Sequence, residues 1–504
     1  MAHSPLIDLL LERAAEHGQE PYLRFGERTV TWREFAESSL RAANGLIELG
    51  IGPEDRVGIM VENSPEFLFA YFGAVAIGAG TVPLNVAQRG AALEHILTDS
   101  GCRAVVLDAP FKQAVESVVG EHVRLVVRGE SSFERLMAAP DTVPEIPEKE
   151  TSGLGILYTS GTTGPPKGVV AERYDLAMVK KLLGSLGVAP GETIYTSLPL
   201  FHGNALILSA MGAVWNRWTL ALAPRFSASR LWDDTRTYGA VAFNVLGAMV
   251  PILLKQPERP DDADNPVRVV FSAACPAWAW REFEERFNVR LIEFYGLVDY
   301  PGDLLNDEGV PGSMGRPIGP TEFRVVDEDG AELPAGAPGE LVMRHPLGQI
   351  THYHNMPAET AQAYRGGWFH TGDLAIVDDE GRFTYAGRKK ESMRRRGENI
   401  SAWEIESVVN RHPGVLECAA HAVPSELGED DVKLVVVLQP DTRLTPEEII
   451  EFCDGQMAAY AVPAFIEFCA ALPKTGTHRV RYEVLKANGI TPETWARPLP
   501  ERRG

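Results

Sequence analysis

Residues 158–168, Tyr158-Thr159-Ser160-Gly161-Thr162-Thr163-Gly164-Pro165-Pro166-Lys167-Gly168, directly follow the apolar run Leu154-Gly155-Ile156-Leu157. An apolar strand-like run that breaks into hydroxyls, glycines and a lysine narrows the possible folds more than any other part of the chain. Glycine admits positive φ and lets backbone approach a ligand closely, while hydroxyls and free N–H groups cradle phosphate oxygens. Lys167 adds a point charge suited to outer phosphates. The spacing is not that of a Walker A loop, which separates its first glycine from Gly-Lys-Ser/Thr by a longer spacer. By composition alone such a segment is an ordinary turn, so its reading depends on the rest of the chain.

At 504 residues the chain is too long for one core, and two or more domains are expected. Signals of strand, helix and strand recur. Asp55–Met60 reads as a buried strand, 64–77 as a helix, and 80–84 as a strand, with further strands at 103–107 and 123–127. That alternation predicts βαβ units and parallel sheets with covering helices. Helices are expected at 5–16 and after Thr31, which is placed to cap one. Thr193–Asn204 reads as a strand running into a turn, and 241–254 as an apolar helix carrying Phe243, Asn244 and Gly247. Strands are expected at 267–271 and 289–294, ending respectively in Ser272-Ala273-Ala274-Cys275-Pro276 and Tyr295-Gly296-Leu297-Val298-Asp299. From about residue 391 the pattern becomes a small α+β domain. It has a helix at 404–410, strands at 415–423 and 432–439, a helix at 445–457 opened by the capping pair Thr445 and Glu448, and a final strand at 465–472.

Charge and cysteine content exclude several classes. A net charge of −21 disfavours nucleic acid or an anionic membrane as principal partner. No apolar run approaches the roughly 20 residues of a membrane span, and the amino end shows no signal-peptide pattern. The five cysteines are scattered without a CxxC pair, which predicts a reducing, cytoplasmic setting with neither disulfides nor zinc.

The 158–168 segment, together with Tyr295-Gly296, Trp368-Phe369-His370-Thr371-Gly372-Asp373 and Gly387-Arg388-Lys389-Lys390, resembles the adenylate-forming enzymes. That superfamily includes acyl- and aryl-CoA synthetases, and the likeness runs from about residue 30 to 490. The run Arg394–Ser401 and the Thr494-Trp495 pair are most similar to carnitine- or crotonobetaine-CoA ligase-like members. The resemblance implies an α/β fold. A large N-terminal domain (1–386) would hold two mostly parallel sheets and a small β-barrel subdomain, followed by a hinge (387–391) and a small mobile α+β lid (392–504).

It also implies a set of site residues. Thr159, Ser160, Gly161, Thr162, Thr163 and Gly164 would cradle phosphates beside Lys167. Ala273 and Ala274 would pair with adenine, and Tyr295-Gly296 would stack on it. Asp373 would accept the ribose hydroxyls with Arg388 nearby, and Lys390 would be the hinge pivot. His202, Phe243, Asn244, Gly247 and Ser272 would line the acid pocket. Two places depart from the family pattern. The usual Tyr-Gly-x-Thr-Glu ends here in Val298 and Asp299, leaving Asp299 as a shorter magnesium ligand and Val298 unable to hydrogen-bond. The lysine that bridges acid and α-phosphate is replaced by Arg479, always charged but planar and bulkier.

The implied reaction consumes ATP with magnesium, activates a small carboxylic acid as acyl-AMP with pyrophosphate release, and transfers the acyl group to CoA. One alternative is a diazotase that activates nitrite toward an aromatic amine. A second is a nucleotide-binding homologue without turnover, since both departures fall on catalytic positions. The sequence leaves the identity of the acid open, and also the oligomeric state, a homodimer among the candidates.

Overall fold

The computed structural model describes residues 4–145, 155–159, 166–171, 176–247, 249–300, 304–395, 398–424, 430–454, 456–457, 461–475 and 479–498. Within it the chain forms two compact units, Met1–Glu322 with Arg344–Gly367, and Phe323–Met343 with Trp368–Gly504. The expected boundary at 386/387 differs from this division. Strands Gly339–Arg344, Trp368–Val377 and Phe383–Arg388 group with the C-terminal chain, held there by pairing with one another and by the ion pair of Lys389 with Glu340.

The first unit contains the two parallel sheets that the βαβ signals predict. In the larger, Arg290–Tyr295, Val269–Ala273, Ala240–Leu246, Thr193–Thr196, Thr219–Leu222 and Pro21–Phe25 lie side by side and parallel. Leu304–Asn306 pairs antiparallel with the first of these and Arg28–Thr31 with the last. The second sheet orders Gly80–Pro83, Arg56–Met60, Ala104–Asp108 and Arg124–Arg128, all parallel. Helix Pro65–Ala76 is apolar on nearly every side and is correspondingly buried, while Trp32–Glu48 is amphipathic. The latter starts in a capping box, with the Glu34 N–H donating to Thr31 Oγ1 at 3.2 Å and the Thr31 N–H donating to Glu34 Oε2 at 2.8 Å.

Two stretches of this unit differ from the sequence reading. Residues 241–254 are not one helix. Ala240–Leu246 is a strand, Gly247 turns, and only Met249–Leu254 is helical. A central strand of a parallel sheet is buried on both faces, so its apolar run lacks the alternation that would separate it from a buried helix. Thr193–Thr196 ends as a strand should, but Asn204 opens a π-helix, Asn204–Met211, rather than closing a turn. A third, antiparallel sheet places Ile156–Thr159 against Lys167–Ala171, with Thr351–Tyr353 beside the latter.

In the second unit Gly339–Arg344, Trp368–Val377 and Phe383–Arg388 pair antiparallel in that order, and Glu322–Val326 lies beside the first. The α+β portion follows. Strands Val415–Pro424, Asp430–Leu438, Phe465–Phe468 and Trp495–Ala496 form one sheet, with helices Ala402–Val409, Pro446–Cys453 and Tyr482–Asn488. Thr445 and Glu448 make the expected capping box, although the helix stops at Cys453, short of Met457. Phe465 does not begin the last strand. Its strand ends at Phe468, Leu472 turns into a buried cluster with Ala419, Val435, Val437 and Leu485, and Trp495–Ala496 closes the edge.

Candidate active site

Open parallel sheets bind ligands at the carboxyl ends of their strands. In the first unit three adjacent strands end in candidate residues: Ala240–Leu246 in Gly247, Val269–Ala273 in Ala274 and Cys275, and Arg290–Tyr295 in Gly296–Asp299. Ala274 has φ +69°, a left-handed conformation that costs an alanine roughly 1 kcal/mol or more. The surroundings hold it there. Glu293, buried two residues before Tyr295, accepts hydrogen bonds from the N–H groups of Ala274 and, at 3.1 Å, Cys275. From the other side the Gly247 N–H donates to the Ala273 carbonyl at 2.7 Å. Only glycine fits at 247, because a Cβ would lie 1.7 Å from the Ala274 carbonyl oxygen.

Burial pushes the Glu293 carboxyl up to about 7, against the backbone N–H groups that pull it down. The unfolded chain releases this proton near its ordinary value of 4.5. The contribution to stability is therefore present in full below about 4.5 and lost as pH rises through about 7, on the order of 3 kcal/mol. Urea unfolding of wild type and Glu293→Gln at pH 5 and pH 8 is expected to show the wild type losing more stability between the two. An equal fall in both proteins would place the titration elsewhere.

The phosphate segment is framed rather than fully drawn. Ser160, Gly161, Thr162, Thr163 and Gly164 lie outside the described residues. Thr159 and Lys167 stand opposite each other where the two strands part, with Thr159 Oγ1 3.5 Å from the Lys167 carbonyl. Helix Gly90–Ser100 holds both flanks. Tyr158 donates its hydroxyl to Asp99 Oδ2 at 2.7 Å, and His95 Nε2 donates to the Pro166 carbonyl at 3.0 Å. The Lys167 ammonium sits over the Tyr353 ring at 4.5 Å, a cation–π contact.

His202 is half-buried against Phe201, with ring centroids 4.8 Å apart. Asn244 is buried and donates to Asn204 Oδ1 at 2.5 Å, so the π-helix and the central strand meet through paired amides. Phe243, the next residue along the strand, instead packs edge-on to Trp232 in the core, and Ser272 is fully buried. Val298 lies next to the start of the π-helix, since a Cβ at Gly203 would sit 3.5 Å from its Cγ2. Asp299 is half-buried, and its carbonyl accepts from Thr351 Oγ1 at 2.6 Å. No group of three or more His, Cys, Asp or Glu able to hold a metal occurs among the described residues.

In the second unit Asp373 is almost fully buried, and its Oδ1 lies 2.6 Å from Arg388 Nε across paired strands. Next to that pair, Glu340 meets Lys389 Nζ at 3.0 Å and His370 Nδ1 at 3.2 Å. Burial works to raise Glu340, but these partners outweigh it and hold the carboxyl below its ordinary value. Lys390 falls in the 3-10 turn Lys389–Glu391, and its side chain lies outside the described residues. Arg479 is exposed, and its N–H donates to Thr475 Oγ1 at 3.2 Å. Lys474, another cation of this segment, is paired with Glu417. Glu293, Asp99, His95, Asn204 and Glu340 escaped the sequence reading. Of these only Glu293, a charge inside the apolar run Leu291–Phe294, carries a visible signal.

A profile of the family described as AMP-binding enzyme matches residues 10–354, and one of its C-terminal domain matches 404–479. A medium/long-chain fatty-acid–CoA ligase of Mycobacterium marinum is 32% identical over 497 residues, 97% of each chain. A crotonobetaine/carnitine–CoA ligase of Salmonella agona is 30% identical over 503 residues, covering 94% of this chain and 97% of its own. Two solved structures superpose with a TM-score of 0.87 at 25% identity: the anthranilate CoA ligase AuaEII with anthranoyl-AMP, covering 97% of each chain, and ATP-bound MatB from Rhodopseudomonas palustris, covering 97% of this chain and 99% of its own. None of these supports the diazotising alternative. Among the described residues no helix is long and apolar enough to cross a membrane.

Proposed function

We propose, for a chain that belongs to the AMP-binding enzyme family, the way its own residues serve adenylate-forming acid–CoA ligation. A carboxylate oxygen of a small acid attacks the α-phosphorus of ATP, forming acyl-AMP and expelling pyrophosphate. The thiolate of CoA then attacks the acyl carbonyl, giving a thioester and releasing AMP. No protein nucleophile is needed, so positioning and electrostatics do the catalysis.

The observation that carries this reading is the set of neighbouring strand ends, where Gly247, Ala273–Ala274 and Tyr295–Asp299 stand side by side. There the clamped turn at Ala274 would meet adenine and Tyr295 would stack on it. Thr159, Lys167 and the residues between them would take the phosphates. His202 and Asn244 would border the acid. Asp373, with Arg388, would receive the ribose hydroxyls, and Arg479 would supply the positive charge that neutralises the attacked phosphate. One carboxylate suits magnesium, which keeps several waters and otherwise binds substrate phosphates, so Asp299 would hold the ion that arrives with ATP and lowers the charge on pyrophosphate as it leaves.

Purified protein with ATP and magnesium, offered a panel of carboxylic acids, is expected to release pyrophosphate in an acid-dependent way and to form a thioester when CoA is added. Release with acids but no thioester would remove CoA from the assignment. ATP binding without release for any acid would count Val298 and Arg479 as disabling.

A further inference from the structure

Behind the Asn244 amide lies a small cavity of about 20 Å³, lined by Leu183, Leu186, Leu208, Trp218 and Phe271 as well as Asn244. That is room for one compact group the size of a water molecule. Apart from Ser209 and Tyr195 the rest of its wall is apolar, and its floor is fixed, because the Trp218 indole N–H donates to the Val188 carbonyl at 3.1 Å. Asn244 is 6% exposed. Its Nδ2 is engaged with Asn204, but its Oδ1 is buried with no donor among the described residues. A buried acceptor left unmade is costly, and a donor arriving in the cavity removes that cost.

We infer that the acid taken by this enzyme carries a hydrogen-bond donor, a hydroxyl or an N–H, at the end remote from its carboxylate, and that Asn244 Oδ1 accepts it. The inference rests on the proposed function above and makes its substrate class narrower. An unsubstituted chain entering the cavity would bury the amide oxygen without a partner and would have to push against the fixed Trp218. A donor placed there satisfies the oxygen and fills the space. Discrimination then follows the general asymmetry of polar sites. A pocket built to hydrogen-bond a substrate group rejects the analogue lacking it far more strongly than an apolar pocket senses one extra methylene.

The test uses the full chain with ATP and magnesium, and pyrophosphate release from matched acids: hydroxy- and aminobenzoates against benzoate and methoxybenzoates, and hydroxyalkanoates against plain alkanoates of equal length. At least one donor-bearing acid is expected to exceed its bare partner about 10-fold or more in kcat/KM, and Asn244→Leu to abolish that preference. Asn244→Val, with a strand-forming shape and no acceptor, replaces the leucine variant if the latter does not fold, and the same loss is expected. Equal rates for donor-bearing and bare acids, a preference for methoxy compounds, or a preference that survives in both variants would overturn the inference while leaving ligation intact. No release with any acid would overturn the proposed function itself.

Discussion

Gly247→Ala is expected to raise the KM for ATP about 100-fold or more, with little change in which acid is preferred. The added Cβ would sit 1.7 Å from the Ala274 carbonyl oxygen and 2.4 Å from its carbonyl carbon. Both are backbone atoms, so no side-chain rotation relieves the overlap. The turn itself cannot yield freely, because the Ala274 and Cys275 N–H groups are bound by buried Glu293 from below. Overpacking of this kind costs about 1–3 kcal/mol in stability. A shift of about 1 Å in a positioning element is enough for a 100-fold loss in rate or affinity. Calorimetric titration with ATP and a thermal melt without ligand separate the two effects. A variant that melts lower yet binds ATP as tightly as wild type would remove the 273–275 turn from the nucleotide site.

Asp373→Ala is expected to lower kcat/KM for ATP by roughly 100- to 1000-fold, about 3–4 kcal/mol, through loss of a doubly accepting carboxylate. Its structural cost is smaller. Arg388 keeps 37% of its side chain in water, so the lost pair withdraws only about 1 kcal/mol of stability. The effect on nucleotide use should therefore exceed the effect on melting by a wide margin. Asp373→Asn, which keeps one carbonyl acceptor but no charge, should fall between alanine and wild type. A melting loss as large as the kinetic one would mean that Asp373 serves the fold through Arg388 and not the ribose.

Much of the architecture was legible because strand and helix boundaries carry local chemistry. The βαβ signals around 55–128 gave a parallel sheet, and Thr445 with Glu448 gave a helix start that depends on nothing beyond four residues. The strand Ala240–Leu246 was illegible for a physical reason: burial on both faces erases the two-residue period that marks a strand. The π-helix at 204–211 has no sequence signature at all, and only its partner Asn244 shows what it is for. Within the site, residues that touch nucleotide in the implied chemistry sit in short recognisable motifs. Those that hold them do not. Gly247 acts on Ala274 across adjoining strands, Glu293 acts through backbone N–H groups, and Asp99 reaches Tyr158 from a separate helix. Such support comes from proximity in three dimensions, which residue order does not record.

The small sheet that frames the phosphate segment bears on the timing of synthesis. Its hairpin, Ile156–Thr159 with Lys167–Ala171, is complete early, but its third strand, Thr351–Tyr353, comes from far along the chain. A ribosome adding roughly 5–20 residues per second would leave that edge unpaired for about ten seconds or more. During this interval the edge of Lys167–Ala171 is a template open to any passing strand. A nascent chain halted before residue 351 should thus be more aggregation-prone than one halted after residue 353, and this edge is a place for a chaperone to act.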